Sequence, residues 1–144
     1  MMPNKFPIPK LILLVIGALA VAGCGRGPID GRPTPVPASG TIIYKSKPVD
    51  GAKVVFAPQD HAHAAVGQTD AQGRFTLQTF EPGDGAVVGK YKVVVSKFEA
   101  VDLPGGGFKE TFFLPQRYRD PEQSGLEATV PEGGTDQIAI ELND

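Results

Sequence analysis

The sequence contains a single cysteine, Cys24, among 144 residues. One thiol excludes a disulfide framework and a multi-thiolate metal site, so stability must come from a hydrophobic core. Basic residues are also scarce, because 14 Lys and Arg face 16 Asp and Glu without forming a basic cluster. That balance argues against a nucleic-acid partner. The apolar run at residues 11–22 is about a dozen residues long, short of the roughly 20 that span a bilayer as a helix.

What the N-terminus does contain is the three-part pattern of an export signal. Lys5 and Lys10 precede the apolar run, and the small residues Ala22 and Gly23 stand directly before Cys24. Positive charge, a short apolar segment and small residues at the cleavage point are typical of a secretory signal peptide. The small residues before the cysteine resemble the lipobox of bacterial lipoproteins. The resemblance implies cleavage after residue 23, diacylglycerol on the Cys24 thiol, and a membrane as partner through that lipid anchor.

An incidental thiol after an ordinary signal peptide is the alternative for Cys24. A lone reactive cysteine would then remain in an exported protein, and the position directly after Ala-Gly favours lipidation. We therefore predict a protein exported and lipid-anchored to the bacterial cell envelope. Gly25 stands where some lipoproteins retained at the inner membrane have aspartate, which favours the outer membrane. Removing the signal takes away two of the 14 basic residues and none of the 16 acids, leaving a formal charge of −4.

Residues 24–39 are predicted to be a linker. This segment contains Pro28, Pro33, Pro35 and Pro37 and has little apolar content. Such a composition is typical of an extended, partly stiff spacer. We place one domain after it, at residues 40–144.

The domain is predicted to be all-β. Apolar residues recur with period two, as in Val54 and Phe56, or Tyr91, Val93 and Val95, and the runs are separated by Gly, Pro and Asp turns. About seven short strands at this spacing indicate an antiparallel β-sandwich.

Three segments resemble carboxypeptidase-regulatory-like domains, which belong to the transthyretin-like sandwiches. They are residues 40–56, residues 69–77 (TDAQGRFTL) and residues 89–95 (GKYKVVV), in that order. The resemblance implies a transthyretin-like fold of about seven strands, and Ser46 departs from it where a glycine is common. It implies no activity, because a fold does not fix a function.

His61 and His63 are the candidate metal ligands. The segment Asp60-His61-Ala62-His63 offers imidazole and carboxylate donors. A third or fourth ligand is not evident, and the position after Pro58 is typical of an exposed connection. We predict a solvent-exposed loop, with metal binding as the weaker alternative and no cofactor.

No catalytic motif is apparent, and we predict that the chain is not an enzyme. None of the four serines stands in a Gly-x-Ser-x-Gly elbow. The hydrolase branch of the transthyretin-like family, hydroxyisourate hydrolase, uses a Tyr-Arg-Gly-Ser motif. Arg117-Tyr118-Arg119 lacks the Gly-Ser that would follow.

Residues 98–125 are predicted to be a long loop between strands. The segment holds four of the eight phenylalanines and the run Gly105-Gly106-Gly107. Long loops often carry function. Phe108, Phe112 and Tyr118 are therefore candidate ligand-binding residues, and the alternative is that Phe112, Phe113 and Leu114 cap one end of the sandwich.

The sequence therefore predicts three alternative functions. The first is an envelope lipoprotein that displays a non-catalytic sandwich with a structural or binding role toward an envelope protein or glycan. The second is a carbohydrate-binding module that uses the aromatic residues of 98–125. The third is metal capture by His61 and His63.

Overall fold

The computed structural model describes residues 31–144. The predicted signal peptide, Cys24 and the first part of the predicted linker lie outside this range. The described residues form ten strands and a short 3-10 helix: β1 (Ala38–Tyr44), β2 (Lys47–Pro48), β3 (Lys53–Pro58), β4 (Ala65–Gln68), β5 (Arg74–Thr76), β6 (Gly89–Ser96), β7 (Phe98–Asp102), β8 (Phe108–Phe112), the 3-10 helix (Gln116–Arg119), β9 (Glu127–Val130) and β10 (Thr135–Leu142).

Two sheets form the body of the molecule, which confirms the all-β sandwich prediction. The first sheet has the order β10-β1-β2, with β5 pairing the first half of β1. The second has the order β4-β3-β6-β9, and all its pairs are antiparallel. Strands β7 and β8 pair only with each other and form a separate two-stranded ribbon.

The core lies between the two sheets and follows the period-two pattern. Its largest fully buried side chains are Tyr91, Phe56, Ile42, Leu77 and Leu142. Fully burying an aliphatic or aromatic side chain stabilises a fold by roughly 1.5–3 kcal/mol. Val55 and Val94 face outward and are half-buried, because the residues on either side of each point into the core.

One strand pair differs from the antiparallel prediction. β1 and β10 are parallel, with Gly40 opposite Ile138 and Ile42 opposite Ile140. A Cβ on Gly40 would lie 2.6 Å from the Ile138 Cβ, so this position needs glycine for the two strands to approach. The pairing joins the two ends of the domain, and alternation within each strand does not indicate the direction of its partner.

Backbone pairing with the sandwich begins before Gly40, within the segment predicted as a linker. The backbone N–H of Val36 donates to Ala86 O, and the Ala86 N–H donates to Val36 O, both at 2.9 Å. The Thr135 N–H donates to Pro37 O at 2.8 Å. Proline lacks an N–H but keeps its carbonyl, so Pro37 takes part in pairing at a strand edge.

Two aspartates organise the turns between strands. Asp70 Oδ1 accepts the backbone N–H groups of Gln72 and Arg74, both at 2.9 Å. The Asp84 carboxylate accepts three backbone N–H groups, those of Thr79, Phe80 and Glu81. These bonds hold two connections in fixed shapes.

The register of β3 with β6 defines two opposite ends of the sandwich. Pro58 pairs with Tyr91 at one end, and Lys53 pairs with Ser96 at the other. At the Tyr91 end, His61 packs on Tyr91, His63 packs on Phe80, and Arg32 lies over the Phe80 ring. We call this the tether end, because the N-terminal segment meets the domain there. The Ser96 end, from which β7 leaves, is the hairpin end.

No helix within residues 31–144 is both long and apolar enough to cross a membrane.

Candidate functional site

The segment predicted as a long loop contains an ordered β-hairpin. β7 and β8 pair in antiparallel register from Phe98 opposite Phe112 to Asp102 opposite Phe108. Its turn is closed by the Leu103 N–H, which donates to Gly107 O at 2.9 Å. Gly105, Gly106 and Gly107 all have positive φ, which favours glycine in this turn. We call residues 98–112 the hairpin.

The hairpin exposes an unusual amount of apolar surface. All ten of its strand residues are exposed. Within residues 31–144, seven large hydrophobic side chains are exposed, and six belong to the hairpin or the residue after it: Phe98, Val101, Leu103, Phe108, Phe112 and Phe113. Clustered exposed apolar residues commonly mark an interaction site, whereas single ones are ordinary.

The hairpin aromatics do not form a flat platform. The rings of Phe98 and Phe112 lie 5.6 Å apart at an interplanar angle of 43°. The Arg119 guanidinium covers Phe112 at 3.9 Å from its centroid, and the Lys97 ammonium lies 5.5 Å from the Phe113 centroid. Two cations therefore sit on the aromatic base of the hairpin, while Phe108 near the tip remains 64% exposed.

Tyr118 is not part of this exposed surface. Its side chain is 3% exposed and belongs to the core cluster, together with Leu114 at 7%. The Tyr118 hydroxyl accepts the Asn143 N–H at 2.8 Å and donates to Asn143 O at 3.0 Å. Of the residues considered as an end cap, Leu114 is buried, whereas Phe112 and Phe113 are exposed. The hydrogen bonds of Tyr118 thus connect the 3-10 helix to the residue after β10, and its buried ring is not accessible to a ligand.

A groove of about 480 Å³ lies at the base of the hairpin. Its lining comes from β3, β4, β5 and β6 with the residues next to them, and from the first residue of β7: Gly51, Lys53, Val66, Gly67, Gln68, Thr76, Gln78, Ser96 and Phe98. Its volume falls within the roughly 300–1,000 Å³ typical of small-ligand sites. We call this the groove.

The groove was not predicted from the sequence because its polar residues lie far apart in the chain. Lys53 pairs with Gln68 on one side and with Ser96 on the other. Directly opposed residues in a sheet point to the same face, so these three form a polar row across three strands. The outward-facing residues of a strand usually form a solvated surface. No local sequence motif distinguishes this row from such a surface.

The two histidines lie side by side at the tether end. Their rings are 6.3 Å apart, and the His61 ring packs edge-on against Tyr91 at 5.0 Å. His61 Nδ1 accepts the His63 N–H at 3.2 Å, and its Nε2 is buried with no hydrogen-bond partner in the described structure. His61 is more buried than the predicted solvent-exposed loop implies, because its ring packs against Tyr91 and lies close to Gly89.

Tyr91 is the titratable group most perturbed by this packing. Burial, and secondly the nearby charge of Asp60, raise its pKa to about 12. Its hydroxyl donates to Val87 O at 2.5 Å. Within residues 31–144, no group of three His, Cys, Asp or Glu side chains is placed to hold a metal ion.

Comparison with known proteins adds little to this site. No family model and no curated protein matches the chain. Among solved structures, a 9R-lipoxygenase from Cyanothece PCC8801 is similar at 13% identity and a TM-score of 0.38. The similarity covers 76% of this chain and 16% of that protein. A likeness of this size carries no argument about fold or function.

Proposed function

We propose that this protein is an exported, lipid-anchored envelope module whose sandwich, transthyretin-like by its sequence motifs, presents the hairpin to a binding partner. The observation that carries the proposal is the concentration of exposed large hydrophobic side chains on residues 98–113. A ribbon that contributes no strand residue to the core does not stabilise the sandwich by burial, which favours a role in recognition.

The placement of the two ends supports the same proposal. The N-terminal segment meets the sandwich beside Phe80 and Ala86, and the hairpin leaves beyond Ser96 at the opposite end. A lipid on Cys24 would therefore hold the tether end toward the bilayer and direct the hairpin away from it. This arrangement suits a partner in the envelope rather than the membrane surface itself.

The anchor is tested by membrane fractionation and intact mass of the native protein beside a Cys24→Ser variant. We expect the wild type in the membrane fraction with acyl mass, and the variant in the soluble fraction. An unmodified wild-type cysteine in a soluble protein would overturn the anchor.

The binding role is tested by in vivo photocrosslinking. A photoreactive phenylalanine analogue replaces Phe108 at the hairpin, and in a matched control it replaces Gln137, which is exposed on β10. We expect a discrete crosslinked envelope species from position 108 only. Equal crosslinking at both positions, or none at 108, would remove the hairpin as the binding element.

Carbohydrate binding is the second candidate function, and the groove favours it. Amide and hydroxyl side chains line the groove together with the half-exposed ring of Phe98. A glycan-array screen of the purified protein tests this candidate, and an absence of hits above background would count against it.

Metal capture by His61 and His63 is the weakest of the three and would be tested by calorimetric titration with zinc and copper. Equal heats for the wild type and a His61→Ala/His63→Ala variant would exclude it.

A further inference from the structure

We propose that the groove binds an acidic oligosaccharide, with Lys53 pairing with a uronic-acid carboxylate and Phe98 packing against the face of a sugar ring. The proposal deepens the carbohydrate-binding candidate and does not depend on the lipid anchor. It places the ligand in the groove, and the outer part of the hairpin near Phe108 takes no part.

The charge of the groove favours an anion. Lys53 is the one charged residue among the nine that line it, and no carboxylate is included. None of the ion pairs found within residues 31–144 involves Lys53. An ammonium group in such a position attracts an anionic ligand, and a charge-assisted hydrogen bond is stronger than a neutral one.

The remaining lining residues suit a saccharide. Gln68, Thr76, Gln78 and Ser96 supply amide and hydroxyl groups that donate and accept hydrogen bonds. Phe98 is 49% exposed, so part of its ring is free to contact the C–H face of a sugar. The groove therefore offers several polar groups beside the apolar side chains of Val66 and Phe98, whereas sites for apolar ligands are lined mainly by hydrophobic and aromatic residues.

The backbone beside the groove disfavours an extended peptide. An extended peptide would bind by adding as a strand to the outer edge of β4, the edge that does not pair with β3. That edge is already occupied at Val66, whose N–H donates to Gln78 O at 2.9 Å and whose carbonyl accepts the Gln78 N–H at 2.8 Å. Recognition in the groove therefore depends on side chains, as it does for sugars.

Isothermal titration of the detergent-solubilised full-length protein tests the inference. The probes are trimers of galacturonic, glucuronic and mannuronic acid, together with the methyl ester of each trimer, which keeps the sugar backbone and removes the charge. We expect at least one acid to bind, and its ester to bind about tenfold more weakly. The Lys53→Gln variant should weaken binding of the acid about tenfold and leave binding of the ester unchanged.

Matched variants separate the groove from the hairpin. Lys109→Gln removes an exposed lysine of the hairpin, and Phe108→Ala removes its most exposed aromatic ring. Both variants should bind the acid as the wild type does, whereas Gln78→Ala should bind it several-fold more weakly.

Three results would overturn the inference: no binding of any acid, equal binding of acid and ester, or a Lys53→Gln variant that binds like the wild type. Loss of binding in Phe108→Ala but not in Lys53→Gln would place the sugar on the hairpin. The groove inference would then fail while carbohydrate binding itself would stand. The photocrosslinking result at position 108 concerns the hairpin and is independent of the result for Lys53→Gln.

Discussion

Gly89 shows how one residue shapes the tether end. Its φ is +152°, and a Cβ there would lie 2.7 Å from Asp60 Oδ1 and 2.9 Å from His61 Cδ2. The missing side chain therefore allows His61 to pack down onto Tyr91. A glycine at the start of β6 is needed both for its backbone conformation and for this close approach.

We predict that Gly89→Ala destabilises the protein by about 1–3 kcal/mol, since an alanine would combine backbone strain with a steric overlap. Urea unfolding followed by circular dichroism measures the change. Gly133→Ala is the matched control, because no atom lies within 4 Å of a Cβ built there and its φ is not in the positive range. Equal unfolding midpoints for the two variants would contradict the prediction.

We predict that the buried Tyr91 makes the free energy of unfolding fall at alkaline pH. Its pKa is raised to about 12, so the fold favours the neutral phenol over the phenolate. An unfolded tyrosine titrates near pH 10, so this contribution is complete below about pH 10 and is lost as the pH rises through about 12. A shift of this size corresponds to about 2–3 kcal/mol of unfolding free energy.

The measurement is the free energy of unfolding of wild type and Tyr91→Phe at pH 8, 10 and 12. The variant should start about 1 kcal/mol lower, because it loses the hydrogen bond to Val87. Between pH 10 and 12 it should then lose less stability than the wild type. Lysine titration affects both proteins alike, so parallel declines would show that Tyr91 is not the responsible group.

Among the strands, the alternation of apolar and polar residues predicted those that have one face buried in the core. β3 and β6 alternate between core and surface, and their inward residues were identified correctly. The hairpin was missed because neither of its strands has a buried face, so no contrast between inward and outward residues exists. A signal was nevertheless present, since the glycine-rich turn at 105–107 separates two short runs that contain β-prone residues.

The same segment predicts two opposite mutational outcomes a few residues apart. Leu114→Ala should cost about 2–4 kcal/mol, because Leu114 is buried in the core cluster. Phe108→Ala should change stability by less than about 0.5 kcal/mol, because its ring contributes surface and no core contact. Urea unfolding of both variants tests this. A large loss in Phe108→Ala would show that the hairpin tip packs on the domain, which would weaken its assignment as a binding surface.

For the whole molecule, the functional surfaces depend on contacts that no local pattern specifies. The groove combines residues of β3, β4 and β6, and the buried Tyr118 hydrogen-bonds Asn143, the residue that follows β10. The parallel pairing of β1 with β10 likewise brings together the first and last strands. Sequence patterns predicted that strands form and which faces they bury, whereas the order of strands within each sheet required the structure.

The opposite placement of tether and hairpin gives a prediction about orientation on the membrane. From Gly89 to Asp102 the chain runs along β6 and then β7, which at about 3.3 Å per residue reaches up to about 45 Å. A lipid on Cys24 should therefore hold the hairpin tip farther from the bilayer than the tether end. Thiols introduced by Pro104→Cys at the exposed tip and Glu81→Cys beside Phe80 would be labelled with a donor dye, and energy transfer to acceptor-labelled lipid would be measured in vesicles. We expect markedly lower transfer from position 104, because transfer falls steeply with distance. Equal transfer from both positions would mean that the sandwich lies along the membrane, and the hairpin would then face lipid instead of an envelope partner.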